Sequence, residues 1–262
     1  MFVTKEGKLT YRWYLWVFIS EDTVYYILDP SRSTQVIEKH FGVIEEGKLC
    51  VDRYSAYKSF AKDKENFILA FCWDHTRRDF IDVGKEFPNQ EEWAMEWKDR
   101  IGKIYHINNE RIIFHLGTNE FQKKDRELRK ALDELVKQRD IELSLPHLNI
   151  GCKKALESMK NHWEGLTIFV DHPHIPMSNS EAERMMRNPA LGRKNYYGSG
   201  AEWSGEYTAI MFSILQTLRK HGINEKKWVF WYLTACAENK GKAPPDISRF
   251  LPWNMSEKEE YG

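Results

Sequence analysis

Cysteine is scarce in this sequence, and the four present, Cys50, Cys72, Cys152 and Cys236, fall at no paired spacing. That excludes a disulfide framework and a zinc ribbon, and it fits a reducing cytoplasm. Long apolar runs are missing as well. The tract from Trp13 to Ile19 lies between Arg12 and Glu21, far short of the roughly 20 residues needed to cross a bilayer. The N-terminus lacks the charged, apolar and small-residue zones of a signal peptide, so no membrane partner is expected. Net charge is absent too, with 39 basic residues against 39 acidic ones. Such a surface has no global pull on nucleic acid, and any DNA contact has to come from local clusters. There is no internal repeat.

What is present is enough apolar material for a core: 42% hydrophobic residues in a chain of 262 can form one globular domain with appendages. The many aromatic side chains can fill that core or stack on exposed bases, and burial preferences favour the core. Residues 11–20 and 23–28 are rich in aromatic and β-branched types and flank Glu21-Asp22, which predicts a β-hairpin. Helical spacing over 34–41 ends at Gly42. Residues 48–51 read as a strand running into Asp52, 55–64 as a helix, and the apolar run 66–73 as a strand buried on both faces. From 76 to 163 long charged helices take over. In the clearest, 119–143, Phe121, Leu128, Leu132, Leu135 and Val136 recur at helical spacing, and packing is the reading preferred for it.

A short strand is expected at 166–170, a helix from Ser180, and a glycine-rich loop over 192–205. A helix at 206–221, stopped by Gly222, comes next. Asn224 should cap a last helix to about Asn239, and 240–262, with its prolines, reads as an extended tail. The order predicts an α/β fold with mixed strand directions. Its segments are a core at 1–75, a helical insertion at 76–163, the rest of the core with C-terminal helices at 164–239, and a tail at 240–262.

Asp52 stands where Leu49-Cys50-Val51 gives way to Arg53-Tyr54. Side chains at such strand ends converge on ligands, although an aspartate there also serves as a turn or cap residue. Glu183 lies three residues after Ser180, the spacing of a capping box. Arg184, Arg187, Arg193 and Lys194 follow within eleven residues; they exceed what a cap needs and suit a held phosphate backbone. Cys72 and His75 share a spacing seen at metal sites but lack a second pair, and a core cysteine with a bonded histidine is the simpler reading. His172 and His174 read as loop residues around Pro173.

The stretch Asn179-Ser180-Glu181-Ala182-Glu183-Arg184, then Arg187 and Ala190-Leu191-Gly192-Arg193-Lys194-Asn195, resembles the signature of transposases of the insertion sequence 66 family. Trp16-Val17, Ser31-Arg32-Ser33, Cys72-Trp73 with His75, Arg77, Arg78 and Phe80, and Leu251-Pro252-Trp253-Asn254 resemble that family in the same order. The resemblance implies a ribonuclease H-like mixed sheet with a helical insertion and a DDE site of two aspartates and a glutamate. Asp52 matches the second aspartate and Glu183 the glutamate. Their ligand would be Mg2+, with Mn2+ as substitute. Arg77 and Arg78 match family positions that could meet phosphate, though they also suit a solvated helix start. The implied partners are DNA, as transposon ends and target, and other transposase chains or accessory proteins of the element.

Three departures stand out. The family has Asp-Asn-Asn where this chain has Ser178-Asn179-Ser180, and a proline displaced to Pro189. The first aspartate of the family lies upstream of the segment that begins here, and Met1 to Lys8 contain none. The resemblance assigns Asp22 and Asp29 no metal role. The expectation is therefore a chain truncated at its N-terminus and inactive by itself in DNA cleavage and strand transfer. The alternative is a non-catalytic remnant or a DNA- or protein-binding subunit.

Overall fold

The computed structural model describes residues 2–5, 8–62, 64–196 and 198–255 and shows a mixed α/β chain. Strands β1 (Phe2–Lys5), β2 (Lys8–Arg12), β3 (Tyr14–Ile19) and β4 (Val24–Asp29) come first, where aromatic and β-branched residues concentrate. Helix α1 (Thr34–Phe41), strand β5 (Glu46–Val51), helix α2 (Ser55–Ala61) and strand β6 (Asn66–Phe71) alternate after them. Five helices follow: α3 (Trp73–Glu86), α4 (Glu91–Arg111), α5 (Asn119–Leu143), α6 (Ile150–Asn161) and α7 (Trp163–Asp171). The remainder is α8 (Ser180–Met185), α9 (Arg187–Tyr196), a short β7 (Gly198–Ser199), α10 (Glu202–Lys220), α11 (Glu225–Glu238) and the 3-10 turns Ser248–Phe250 and Pro252–Asn254.

Where the sequence suggested a single domain, the chain divides into two compact units, one of Met1–Arg32 with Glu181–Gly262 and one of Ser33–Ser180. In the first unit, β3 and β4 pair antiparallel from Tyr14↔Asp29 to Ile19↔Val24. Val24, Tyr26 and Leu28, alternate residues of β4, form a buried cluster with Ala209 of α10, and Phe212 packs against it. The outer edge of β4 is covered: Val24 N–H donates to Thr217 Oγ1 at 3.1 Å and Tyr26 N–H to Ser213 Oγ at 2.8 Å. Those hydroxyls stand one turn apart on α10, so a helix supplies the acceptors that a neighbouring strand would otherwise give. β1 pairs antiparallel with β2 and parallel with β7. At the end of α10 the predicted stop is real, since Gly222 has φ 71°, a left-handed conformation that favours glycine. The Asn224 side chain then caps α11 by accepting from Lys227 N–H at 3.1 Å.

The second unit is a helical core beside a two-stranded parallel sheet, β5 with β6, in register from Glu46↔Asn66 to Val51↔Phe71. Trp97, Ile101, Ile104 and Ile107 form the inner stripe of α4, and Leu128, Leu132 and Leu135 that of α5; they meet Phe80, Leu156, Met159, Leu166 and Phe169 in one cluster. Each large side chain so buried contributes roughly 1.5–3 kcal/mol. Gly165 lets α7 lie on the sheet, because a Cβ there would collide with the Phe71 ring and the Leu69 carbonyl. No helix among the described residues is long and apolar enough to cross a membrane.

Several local expectations need correction. The run Leu166 to Val170 is helical, inside α7: Leu166, Phe169 and Val170 are its buried residues, and a short apolar run has no period that separates a buried strand from a helix. The apolar run beginning at Asn66 stops being strand at Phe71. Only Ala70 of β6 is fully buried, while Cys72 and Trp73 are the N-cap and first residue of α3. The predicted loop over 192–205 is largely α9, β7 and the start of α10, since glycines tolerate a helix end as readily as a turn. Residues 11–20 split between β2 and β3 at Trp13. Within the expected tail, residues 240–255 are described and pack at Phe250, which is buried and whose carbonyl accepts from Trp228 Nε1 at 2.9 Å; residues 256–262 lie outside the described residues. In place of one mixed sheet, the described residues carry three small ones.

Candidate active site and nucleic-acid interface

Asp52 follows the carboxyl end of β5 and is half-buried. Its Oδ1 accepts from Tyr54 N–H at 3.0 Å, a local turn that fixes the carboxylate as the chain leaves the strand. Burial, then the Asp52 carboxylate and Tyr54, push the Tyr57 phenol up to about 12. Arg53 is committed elsewhere. Its guanidinium donates to both oxygens of Asp79, at 2.5 and 2.9 Å, and to Ser158 Oγ at 2.6 Å, and a paired fork of this kind holds α3 and α6 to the strand end.

The carboxyl end of β6 is equally structured. Cys72 N–H donates to the Val51 carbonyl at 3.0 Å, and Trp73 N–H donates to Met177 O at 2.8 Å. Asp74, in the first turn of α3, accepts from Tyr105 OH at 2.8 Å and from Ser178 Oγ at 2.5 Å. Burial and then that carboxylate drive the Tyr105 phenol far above its ordinary range. Cys72 is fully buried, and Asn179 N–H points at its sulfur at 3.4 Å. Burial opposes ionisation of that thiol, but its hydrogen bonding with His75, Asn179 and Ser178, to whose Oγ the thiol donates, outweighs it and leaves the thiol below its usual value. Residues 177–179 are thereby pinned where β5 and β6 end. Sequence reasoning missed Asp74, Tyr105 and Ser178 because a network spanning 104 residues, from Ser178 back to Asp74, leaves no local spacing to read.

A second convergence that spacing did not reveal lies further back on β5. Lys48 Nζ stands 3.5 Å from His172 Nδ1 and 3.3 Å from His174 Nε2. Cys50, on the same face of β5, donates to the Pro176 carbonyl at 3.5 Å. Segment 172–177 therefore runs over that face of the strand.

Arg77 and Arg78 lie in the first half of α3, Arg77 half-buried with its Nε lacking a hydrogen-bond partner and Arg78 exposed. Glu183 and Arg184 are exposed on α8, and Arg187, Arg193 and Lys194 are exposed on α9. Ser180 is the first residue of α8, one position past the cap that a Ser180–Glu183 capping box requires. The neighbouring acid Glu181 is held by Lys220 at 2.6 Å. Among the described residues no group of three histidine, cysteine or acidic side chains is placed to hold a metal ion.

Curated relatives match the chain over most of its length. An uncharacterized protein of Sinorhizobium fredii, y4jD, is 30% identical over 246 residues, which is 91% of this chain and 47% of that protein. Two more from the same organism, y4qI and y4hP, are 27% and 23% identical and cover 95% and 91% of this chain. The chain thus spans about half the length of the curated relatives it matches. No solved structure matches it. The model of the Transposase IS66 family matches residues 2–207, a span that holds Asp52, Glu183, Arg77, Arg78, Arg184, Arg187, Arg193 and Lys194, and the chain belongs to that family.

Proposed function

We propose that this chain is the catalytic segment of a DNA transposase, with a ribonuclease H-like arrangement, and that Asp52 and Glu183 are two of its metal-binding carboxylates. The observation that carries this reading is the family match over residues 2–207 together with the position of Asp52 at the carboxyl end of a parallel strand pair, where α/β folds gather ligand-binding groups.

The donor chemistry fits Mg2+ or Mn2+. Asp52 offers hard oxygen ligands at a half-buried position fixed by Tyr54 N–H. Asp52 and Glu183 would hold such a metal, and the chemistry it would supply when bound is activation of water or a DNA 3′-hydroxyl and stabilisation of the leaving oxygen. The chain's own residues do the rest. The Arg53–Asp79–Ser158 contacts hold the strand end that carries Asp52. Trp73, Cys72 and Asp74 fix residues 177–179, the segment that precedes Glu183 by four residues. Arg184, Arg187, Arg193 and Lys194, with Arg77 and Arg78, would meet DNA phosphates at transposon ends and target. Other chains of the same element are the expected protein partners.

The test uses a protein in which the aspartate-bearing strand that the family resemblance places upstream precedes this chain. Mg2+-dependent cleavage of supercoiled plasmid is expected from it. Asp52→Asn or Glu183→Gln should each abolish cleavage with little change in thermal stability. Full activity in the Glu183→Gln protein removes Glu183 from the catalytic set. DNA binding without cleavage in the extended protein would favour a non-catalytic DNA-binding subunit.

A further inference from the structure

We propose that Lys48, His172 and His174 form a clamp for a DNA backbone phosphate, separate from the basic residues of α3, α8 and α9. The inference rests on the DNA-binding part of the proposed function and adds a place and a pH dependence to it.

Three nitrogens from two segments meet at one point on the surface, with Lys48 Nζ 3.5 and 3.3 Å from the two rings and the rings themselves 5.9 Å apart. Among the described residues no carboxylate forms an ion pair with any of the three. The nearest acids in sequence are otherwise placed. Asp171, beside His172, is held by Arg129 at 2.7 Å, and Glu46, which shares the Lys48 face of β5, is exposed and forms no ion pair with Lys48 among the described residues. Cys50, the next residue on that face of β5, gives its S–H to Pro176 O, and burial, then Cys72 and Asp74, push its thiol up to about 12, so it stays neutral.

A second lysine–histidine contact shows what a purely structural pair looks like. His162 Nδ1 lies 2.7 Å from the Ser158 carbonyl and must donate to it, so Nε2 is left to accept from Lys58 at 2.7 Å. Burial, then Lys58 and Arg53, outweigh that carbonyl and hold the ring neutral to a lower pH than usual. No such carbonyl bond fixes the tautomer of His172 or His174 among the described residues. While both rings are neutral, the Lys48 ammonium can donate to their lone pairs. Once either ring takes a proton, donors face donors with no acceptor between them. A phosphate, with several acceptor oxygens and a negative charge, resolves that conflict. The clamp is also suitably placed. Four residues of strand, roughly 13 Å, separate Lys48 from Asp52, which is the axial length of about four base pairs.

The test titrates the chain against a short duplex of arbitrary sequence at several salt concentrations. It is run at about pH 5.5 and about pH 8, on either side of the ordinary imidazole pKa of about 6.5. Far-UV circular dichroism checks that each variant is folded. Imidazole NMR should show the duplex raising the titration midpoints of His172 and His174 by about one unit, equivalent to about tenfold tighter binding per ring at the lower pH. Lys48→Gln should reduce the log–log salt slope by about one at both pH values. His172→Gln with His174→Gln should remove the pH dependence and leave binding at the higher pH intact. Wild-type slope and pH profile in both folded variants, with DNA still bound, would overturn the clamp and leave the DNA-binding reading standing. A wild-type chain that binds no duplex at either pH would overturn both.

Discussion

The two units handle charge in opposite ways. The Ser33–Ser180 unit buries it. Arg111, 1% exposed, pairs with Asp125 at 3.0 Å, donates to the Phe169 and Val170 carbonyls at the end of α7, and lies over the Phe121 ring. Glu142, also buried, accepts from Trp93 Nε1, Trp97 Nε1 and Gln138 Nε2 at 2.7, 3.0 and 2.7 Å. Among the described residues the other unit buries only neutral polar groups, Ser199, Gln216 and Thr217, and it turns the cations of α8 and α9 outward. A buried charge is tolerated only where its partners are fixed, so the first arrangement makes a stiff scaffold. An outward cation gives up little stability and is available for a phosphate. One unit fixes its charges against buried partners, and the other leaves the cations of α8 and α9 exposed.

The strongest challenge to that contrast is Trp97→Ala in the centre of the helical core. It should cost about 3–5 kcal/mol in a denaturant titration by removing apolar contact and leaving a cavity. Arg111→Met should cost about 3 kcal/mol or more, because Asp125 and two carbonyls lose their buried partner. A loss under about 1 kcal/mol would show that the buried cation is not what stiffens this unit.

A pH series separates the two units. Burial raises the Tyr26 phenol from 10.0 to about 12, while its hydroxyl donates to the Met185 carbonyl at 2.8 Å. A folded value above the unfolded one means that stability is fully present below pH 10 and is lost as pH rises toward 12. The loss is on the order of 2 kcal/mol. Tyr57 in the helical unit is raised to about 12 as well. Tyr26→Phe should therefore flatten the alkaline loss seen by a probe in the β3–β4 unit, and Tyr57→Phe the loss seen in the other. If either variant flattens both, the units do not unfold separately.

Smaller effects test the unit with the outward cations. Thr217→Val leaves Val24 N–H without its acceptor and should cost about 1–2 kcal/mol by thermal melting. Arg193→Ala with Lys194→Ala should change stability by less than about 0.5 kcal/mol, while lowering the salt slope of DNA binding by up to about two. Lys130→Ala with Lys137→Ala is the matched control, because both side chains are exposed on α5. Arg139 would be a poor choice, since it is buried and paired with Asp140 at 2.8 Å. An unchanged slope in the first variant and a reduced one in the control would move the DNA-facing surface to the helical unit.

Much of the secondary structure was legible because its signals are local. The hairpin around Glu21-Asp22, α1 ending before Gly42, α5 over Asn119–Leu143 and the Asn224 cap all follow from residues within a few positions of each other. At the candidate site, Asp52 could be placed at a strand end from Leu49-Cys50-Val51 alone. The failures share one cause. Leu166 to Val170 and the end of β6 are apolar whichever element they join, and only the neighbours they pack on choose between strand and helix.

By itself the sequence determined the family, through motifs that keep their order from Trp16 to Asn195, and the helical stripes that make a core possible. Periodicity and motif order are properties of the chain read in one dimension. Tertiary structure alone decided which cations are buried and which face outward, that α10 hydroxyls finish the edge of β4, and that Ser178 meets Asp74 while Lys48 meets His172 and His174. Those contacts join residues more than a hundred positions apart, and their strength depends on distance and local dielectric, which exist only once the chain has folded.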